Sequence, residues 1–271
     1  MPEIFAHHAH VFPESVNPGG SITRLLRLLD SCGIARAVCF APFASQVPTD
    51  LRPNDWLAKE LTKESRLVGF GTIDFSSPDL KEQVRRIVDL GFKGIKLHPN
   101  MQGFDMLSAP ALEVYAAAQD AKLLLTFHTG VHHYRIKHYN VLGFDEIAHQ
   151  FPDLRFTMEH VGGYHFFTEA LAVIFNNIPF PPKPGFRPRV MGGLVSNFNR
   201  KKLPFWYLTP EQMMLAIDQV GAELFIFGLD FPYNLEEDAR LGIQTIQSLP
   251  IADEKKAMIL GGNLRRELGL V

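Results

Sequence analysis

Eight short runs of apolar, β-branched and aromatic residues punctuate the chain, and stretches with apolar positions at helical spacing separate most of them. The runs cover residues 4–12, 35–40, 66–73, 94–98, 123–128, 154–160, 189–198 and 224–230. Each is apolar on both faces, as a strand covered by helices has to be. The seventh is the least regular, because Gly192 and Gly193 interrupt it. Between the runs, Ile22, Leu25, Leu26, Leu28 and Leu29 predict a helix with Ser21 as its cap and Gly33 as its stop. A second helix is expected after Ser77, striped by Val84, Ile87, Val88 and Leu90 and ended by Gly91. Others are expected over 109–122, over 144–149, from Thr209 onward, over 236–249 and over 253–260.

Strand and helix alternating about eight times in one chain predict a parallel sheet coated by helices, closed into a single-domain (β/α)₈ TIM barrel spanning 1–271. The main rival, an open doubly wound sheet, wants a glycine-rich phosphate loop after the first strand. Here that strand runs into His8-Ala9-His10 and Pro13 instead. One stretch is atypical. Residues 178–202 hold Pro179, Pro181, Pro182, Pro184 and Pro188, and are expected to form a loop insertion or lid.

Composition narrows the function classes. Hydrophobic residues make up 46% of the 271 and charged residues 21%, which describes a globular chain. A formal net charge of −2 offers no basic surplus for a nucleic-acid backbone. No apolar run has the length of a membrane span, and the first residues lack the pattern of a secretory signal. Two cysteines, Cys32 and Cys39, make no disulfide framework or four-ligand zinc site. A cytoplasmic location is the expectation. The informative number is 11 histidines, because of where they fall.

His8 and His10 close the first run, His98 the fourth, His128 the fifth and His160 the sixth, while Asp230 closes the eighth. In a (β/α)₈ barrel the C-terminal strand ends share one mouth, where catalytic groups collect. Residues two apart on a strand share a face, so His8 and His10 can reach one cation. The same alternation predicts that His7 faces the helices, outside the site. Imidazoles gathered without a cation would repel if charged and be hard to satisfy if neutral.

These motifs resemble the amidohydrolase superfamily, in its amidohydrolase-related (amidohydrolase 2) branch. The resemblance covers nearly the whole chain. It rests on residues 6–13 (AHHAHVFP), 91–99 (GFKGIKLHP), 127–130 (FHTG), 159–163 (EHVGG), 227–232 (FGLDFP) and 259–266 (ILGGNLRR). It implies a metal-dependent (β/α)₈ enzyme with one divalent ion, expected to be Zn²⁺. By position it makes His8, His10, His128 and Asp230 the metal ligands, with Asp230 and His160 as the catalytic acid–base groups. The chain departs from the family at Ala6, where an acidic residue is common. That leaves a supporting carboxylate below the site missing or supplied from elsewhere.

A cation held by neutral imidazoles lowers the pKa of bound water to about 7, so a metal-activated water is available as nucleophile. The first expectation is therefore hydrolysis of a small amide, ester or lactone. The alternative is zinc-dependent non-oxidative decarboxylation of an unsaturated or aromatic carboxylic acid, as in aminocarboxymuconate semialdehyde decarboxylase. The residues alone do not choose. His98, Lys96 and Arg135 are the candidate substrate-binding residues, Arg135 as a fork for a carboxylate on a small anionic substrate. In two-metal relatives a strand-four lysine is carbamylated, a second reading for Lys96. Gln102, Phe104, Arg187, Arg189 and Arg200 are lesser candidates near the mouth. A homodimer is the assembly the resemblance allows.

Overall fold

The apolar runs pair side by side in chain order. In the computed structural model, which describes residues 3–180 and 187–270, eight parallel strands form a closed barrel: β1 (Ile4–His10), β2 (Ile34–Phe40), β3 (Leu67–Thr72), β4 (Gly94–Leu97), β5 (Leu124–His128), β6 (Arg155–Glu159), β7 (Val190–Leu194) and β8 (Phe225–Phe231), with β8 paired back onto β1. This is the expected (β/α)₈ TIM barrel. Helices α1 (Ile22–Cys32), α2 (Pro53–Leu61), α3 (Leu80–Asp89), α4 (Pro99–Gln102), α5 (Ala109–Asp120), α6 (Gly143–Gln150), α7 (Phe167–Asn176), α8 (Pro210–Val220), α9 (Glu236–Ser248), α10 (Asp253–Ala257) and α11 (Asn263–Leu268) connect and coat the strands. Among the described residues, no helix is long and apolar enough to cross a membrane.

Local chemistry sets the helix ends. The Ser21 hydroxyl accepts the Arg24 N–H at the start of α1, the Leu25, Leu28 and Leu29 stripe is buried, and Gly33 stops the helix in the left-handed conformation at φ 65°. Each such leucine contributes about 1.5–3 kcal/mol by leaving water. Thr209 and Gln212 cap α8 reciprocally, with Pro210 at its first position. Asp79, not Ser77, takes the N-cap position of α3. The expected helix over 253–260 is interrupted: after Ala257 the chain passes through a π-type turn, Met258–Gly262, before α11. Gly261 lies there so close to β1 that a Cβ would meet the Phe5 nitrogen at 2.6 Å. Asn263 ties this end to the barrel by donating to the Ala222 and Phe225 carbonyls, a structural role.

Strand β1 corrects one expectation. Its pairing shifts register between Ala6 and Ala9 against β2, and between His7 and Ala9 against β8, and His8 has φ +65°. A non-glycine residue in that region breaks the strict alternation of faces. His7 therefore does not face the helices. Its ring packs edge-on against Phe40 and Phe70, and its Nε2 comes 3.3 Å from the Thr126 hydroxyl of β5, across the barrel.

The proline-rich stretch is also divided differently from the expectation. Strand β7 falls inside 178–202, so the stretch forms two connections rather than one insertion. Pro181, Pro182 and Pro184 lie outside the described residues. Arg187 pairs with Glu267 of α11, and Arg189 donates to the Ala148 and Pro152 carbonyls, so neither bends over the mouth.

Candidate active site

The C-terminal strand ends surround a cavity of about 220 Å³. His10, His98, His128, His160 and Asp230 line it together with Phe43, Trp206 and Tyr233. His8 is buried just beneath, its Nε2 lying 3.2 Å from His10 Nε2, 3.4 Å from Asp230 Oδ1 and 3.4 Å from Lys96 Nζ. Nε2 of His8 is free to act as an electron-pair donor, because its Nδ1–H donates to Glu159 Oε2 at 2.7 Å. Burial, reinforced by the Lys96 ammonium, holds His8 and His10 well below the ordinary imidazole pKa, so both rings are neutral near pH 7.

One donor atom from each of His8, His10 and Asp230 lies within 4.8 Å of the other two. Two donors each about 2.1 Å from one ion stand about 3.0–3.4 Å apart at octahedral to tetrahedral angles, which matches the separations around His8 Nε2. Neutral imidazoles plus a carboxylate are a fitting donor set for a divalent transition ion. The residues present therefore fit a resident metal. The structure brings together three of the four expected ligands. The fourth, His128, is not within that distance of all three: its Nε2 lies 2.7 Å from the Gly130 carbonyl and its ring stacks on His98 with centroids 4.0 Å apart. Its Nδ1 remains available.

Asp230 sits at φ +59°, and its Oδ2 accepts the Ser196 hydroxyl at 2.6 Å. Asn234 in turn donates to Ser196 at 2.8 Å, which leaves the Ser196 proton for the carboxylate. His160 lies 5.3 Å from His8 and 4.7 Å from His128, centroid to centroid. Its Nδ1–H donates to the Val195 carbonyl at 2.9 Å, and burial lowers its pKa, so Nε2 carries a free lone pair. His98 accepts the Met101 N–H on Nδ1, which places its proton on Nε2, a buried atom with no hydrogen-bond partner among the described residues.

Lys96 is fully buried beside His8, and burial lowers its pKa to about 8 despite Glu159 and Asp230 nearby. Arg135 is exposed and is not among the residues lining the cavity. Gln102 and Phe104 do not line it either: Gln102 accepts the His98 N–H and donates to the Ile73 carbonyl, and Phe104 stacks on Phe75. Arg200 is exposed.

Sequence reasoning passed over six residues of the site, Phe43 and Tyr233 of the cavity wall among them. Trp206 lies against His160 at 4.2 Å and donates its indole N–H to the Val131 carbonyl at 2.8 Å. Gly130 and Gly163 make room for it, since a Cβ on either would come 2.9 Å from the indole. Glu159, Ser196 and Asn234 are the others. The glycines facing Trp206 and Glu159 were a signal for each in the sequence.

A closed parallel barrel with imidazoles and a carboxylate converging at its mouth defines the class of protein. The amidohydrolase family model matches residues 7–270, and the chain belongs to that family of enzymes, which use a divalent metal. Solved structures share the fold at low identity. The 5-carboxyvanillate decarboxylase LigW from Sphingomonas paucimobilis is 18% identical over 100% of both chains, with a TM-score of 0.73. A dihydroxybenzoic acid decarboxylase from Polaromonas, holding manganese and the inhibitor 2-nitroresorcinol, is 17% identical over 100% of this chain and 98% of its own, with a TM-score of 0.72. A protein assigned as 2-pyrone-4,6-dicarboxylic acid hydrolase from Pseudomonas putida is 17% identical over 100% of this chain and 98% of its own, with a TM-score of 0.71.

Proposed function

We propose that the protein is a metal-dependent, non-oxidative decarboxylase of a small aromatic carboxylic acid. The observation that carries the reading is the cavity itself. An apolar void of about 150 Å³ already admits benzene, so about 220 Å³ suits one substituted ring. Trp206, Phe43, Phe205 and Tyr233 are among its walls, together with His10, His98, His128, His160 and Asp230. Loss of carbon dioxide converts a localised anion into a neutral molecule, a change that such apolar surroundings favour. Two of the similar structures are named decarboxylases of aromatic acids and one a hydrolase, so the comparisons favour decarboxylation over hydrolysis, the first expectation.

When bound, the divalent ion supplies a positive anchor and Lewis acidity for the oxygens of the substrate. His8, His10 and Asp230 are the residues assigned to hold it. Zinc is the expected ion for this donor set, and manganese occupies one of the similar structures. In the reading, Trp206 and Phe43 hold the ring. The free Nε2–H of His98 donates to a carboxylate or phenolic oxygen of the substrate. Asp230, a carboxylate while it holds the ion, first takes up a proton by way of His160 and then passes it to the ring carbon that bears the carboxylate. A C–H bond forms there, the bond to the carboxylate carbon breaks, its electron pair returns to the ring, and carbon dioxide leaves. His160 Nε2 relays that proton from bulk solvent to Asp230, so that one solvent proton is consumed for each carbon dioxide released.

The test is a product assay. Protein supplied with zinc or manganese is incubated with hydroxybenzoates, a carboxylated vanillate, and lactones that include a pyrone dicarboxylate. Carbon dioxide released in step with loss of an aromatic acid is expected. Ring-opened acid without carbon dioxide would overturn the proposal in favour of hydrolysis.

A further inference from the structure

Ala6 supplies no carboxylate below the metal site, yet one is there. Glu159, the last residue of β6, is fully buried, and its Oε2 stands 2.7 Å from His8 Nδ1. Gly193 on β7 makes the space, because a Cβ there would fall 2.5–2.6 Å from all three atoms of that carboxyl group. A second imidazole faces the same oxygen, His7 Nδ1 at 3.4 Å. Thr157 donates to Thr126 at 3.3 Å, and the Thr126 hydroxyl lies 3.3 Å from His7 Nε2.

The same three residues have one donor atom each within 4.8 Å of one another, which raises the question of a second cation. The 2.7 Å separation answers it. Two donors on one ion at about 2.1 Å would stand at least about 3 Å apart, whereas 2.7 Å is the length of a charge-assisted N–H to carboxylate bond. A proton, not a metal, lies between His8 and Glu159.

We propose that Glu159 is a positioning residue for the metal site. It fixes His8 as the Nδ1–H tautomer, so that Nε2 faces Asp230 and His10, and it makes that nitrogen a stronger donor. The carboxylate that the strand-one position lacks is thus delivered from the end of β6, through the gap left by Gly193. This inference rests on the metal reading above, but it concerns the apoprotein as well, since the tautomer is set before any ion binds.

Two measurements test it on Glu159→Gln. Zinc titration against a chromophoric chelator is expected to give a dissociation constant raised about 10- to 100-fold, the usual effect of losing a carboxylate behind a ligating histidine. Imidazole NMR spectra of the zinc-free parent are expected to give His8 as the Nδ1–H tautomer, with that signal displaced in the variant. Unchanged zinc affinity in a folded variant would overturn the proposal. So would finding the proton of His8 on Nε2 in the parent, a result that needs no variant to fold. If the parent itself takes up no zinc, the metal reading fails, and the tautomer alone decides the role of Glu159.

Discussion

Replacing Gly193 by alanine puts a single methyl group against the fully buried carboxylate of Glu159. The added Cβ would lie 2.5 Å from Glu159 Oε1 and 2.6 Å from Cδ and Oε2, contacts that real Cβ atoms do not make. Glu159 cannot swing aside freely, because it is buried and tied to His8 at 2.7 Å. Overpacking of this kind costs about 1–3 kcal/mol, and displacing the carboxylate from the His8 N–H adds about 1.5–3 kcal/mol for a charged hydrogen bond. Together they predict a loss of about 2.5–6 kcal/mol. At about 2–4 °C per kcal/mol for a large domain, Tm falls by about 5–24 °C. Thermal unfolding followed by circular dichroism measures it. Gly262→Ala is the control, since its Cβ would meet nothing nearer than 3.4 Å and should change stability by less than about 0.5 kcal/mol. A Gly193→Ala protein that melts with the parent and binds zinc equally well would refute the packing argument.

Other outcomes follow from the same geometry. Ser196→Ala removes the 2.6 Å donor to Asp230, while Asn234 keeps its bonds to the Leu229 carbonyl and Lys202, so kcat for carbon dioxide release should fall about 10- to 100-fold with the fold intact; steady-state kinetics decide. Lys96→Met should stabilise the metal-free protein by about 3 kcal/mol at pH 7, because the buried ammonium, whose pKa is lowered from 10.5 to about 8, is favoured in the unfolded chain. The sign is fixed by proton counting: between about pH 8 and 10.5 the unfolded chain holds a proton that the folded one has released, so parent stability rises with pH over that window and the advantage of the variant shrinks. Denaturant titrations at pH 7 and pH 10 read the difference. His98→Ala should raise KM about 10-fold or more, through loss of its unpartnered Nε2–H, and leave zinc affinity unchanged; a joint loss of both would move His98 into the metal site.

Most of the fold could be read along the chain because strands enclosed by helices carry continuous apolar runs, and the predicted runs lie within a few residues of β1 to β8. The helices left out were those with weak periodicity. Helix α2 buries only Leu57 among its nine residues, and the apolar residues of α7 are too many to leave a polar face that stands out. Site residues at strand ends were legible because their positions follow from topology. What depends on local backbone geometry was not. The left-handed conformation of His8 turns His7 inward, and nothing in an alternating pattern announces it. Glu159 was hidden beside His160, although Ala6 and Gly193 together mark a carboxylate missing in one place and a space for it in another. Arg135 read as an anion fork from its place in the His-rich loop after the fifth run, and the sequence carries no direction for a loop side chain, which here is exposed.

The central claim is that one cation sits among His8, His10 and Asp230. Anomalous diffraction from zinc-soaked crystals tests it most directly. The account predicts a single strong peak at the barrel mouth, about 2.0–2.3 Å from His8 Nε2, His10 Nε2 and an Asp230 oxygen. A peak elsewhere, or none at those three atoms in crystals with zinc in excess, would contradict it.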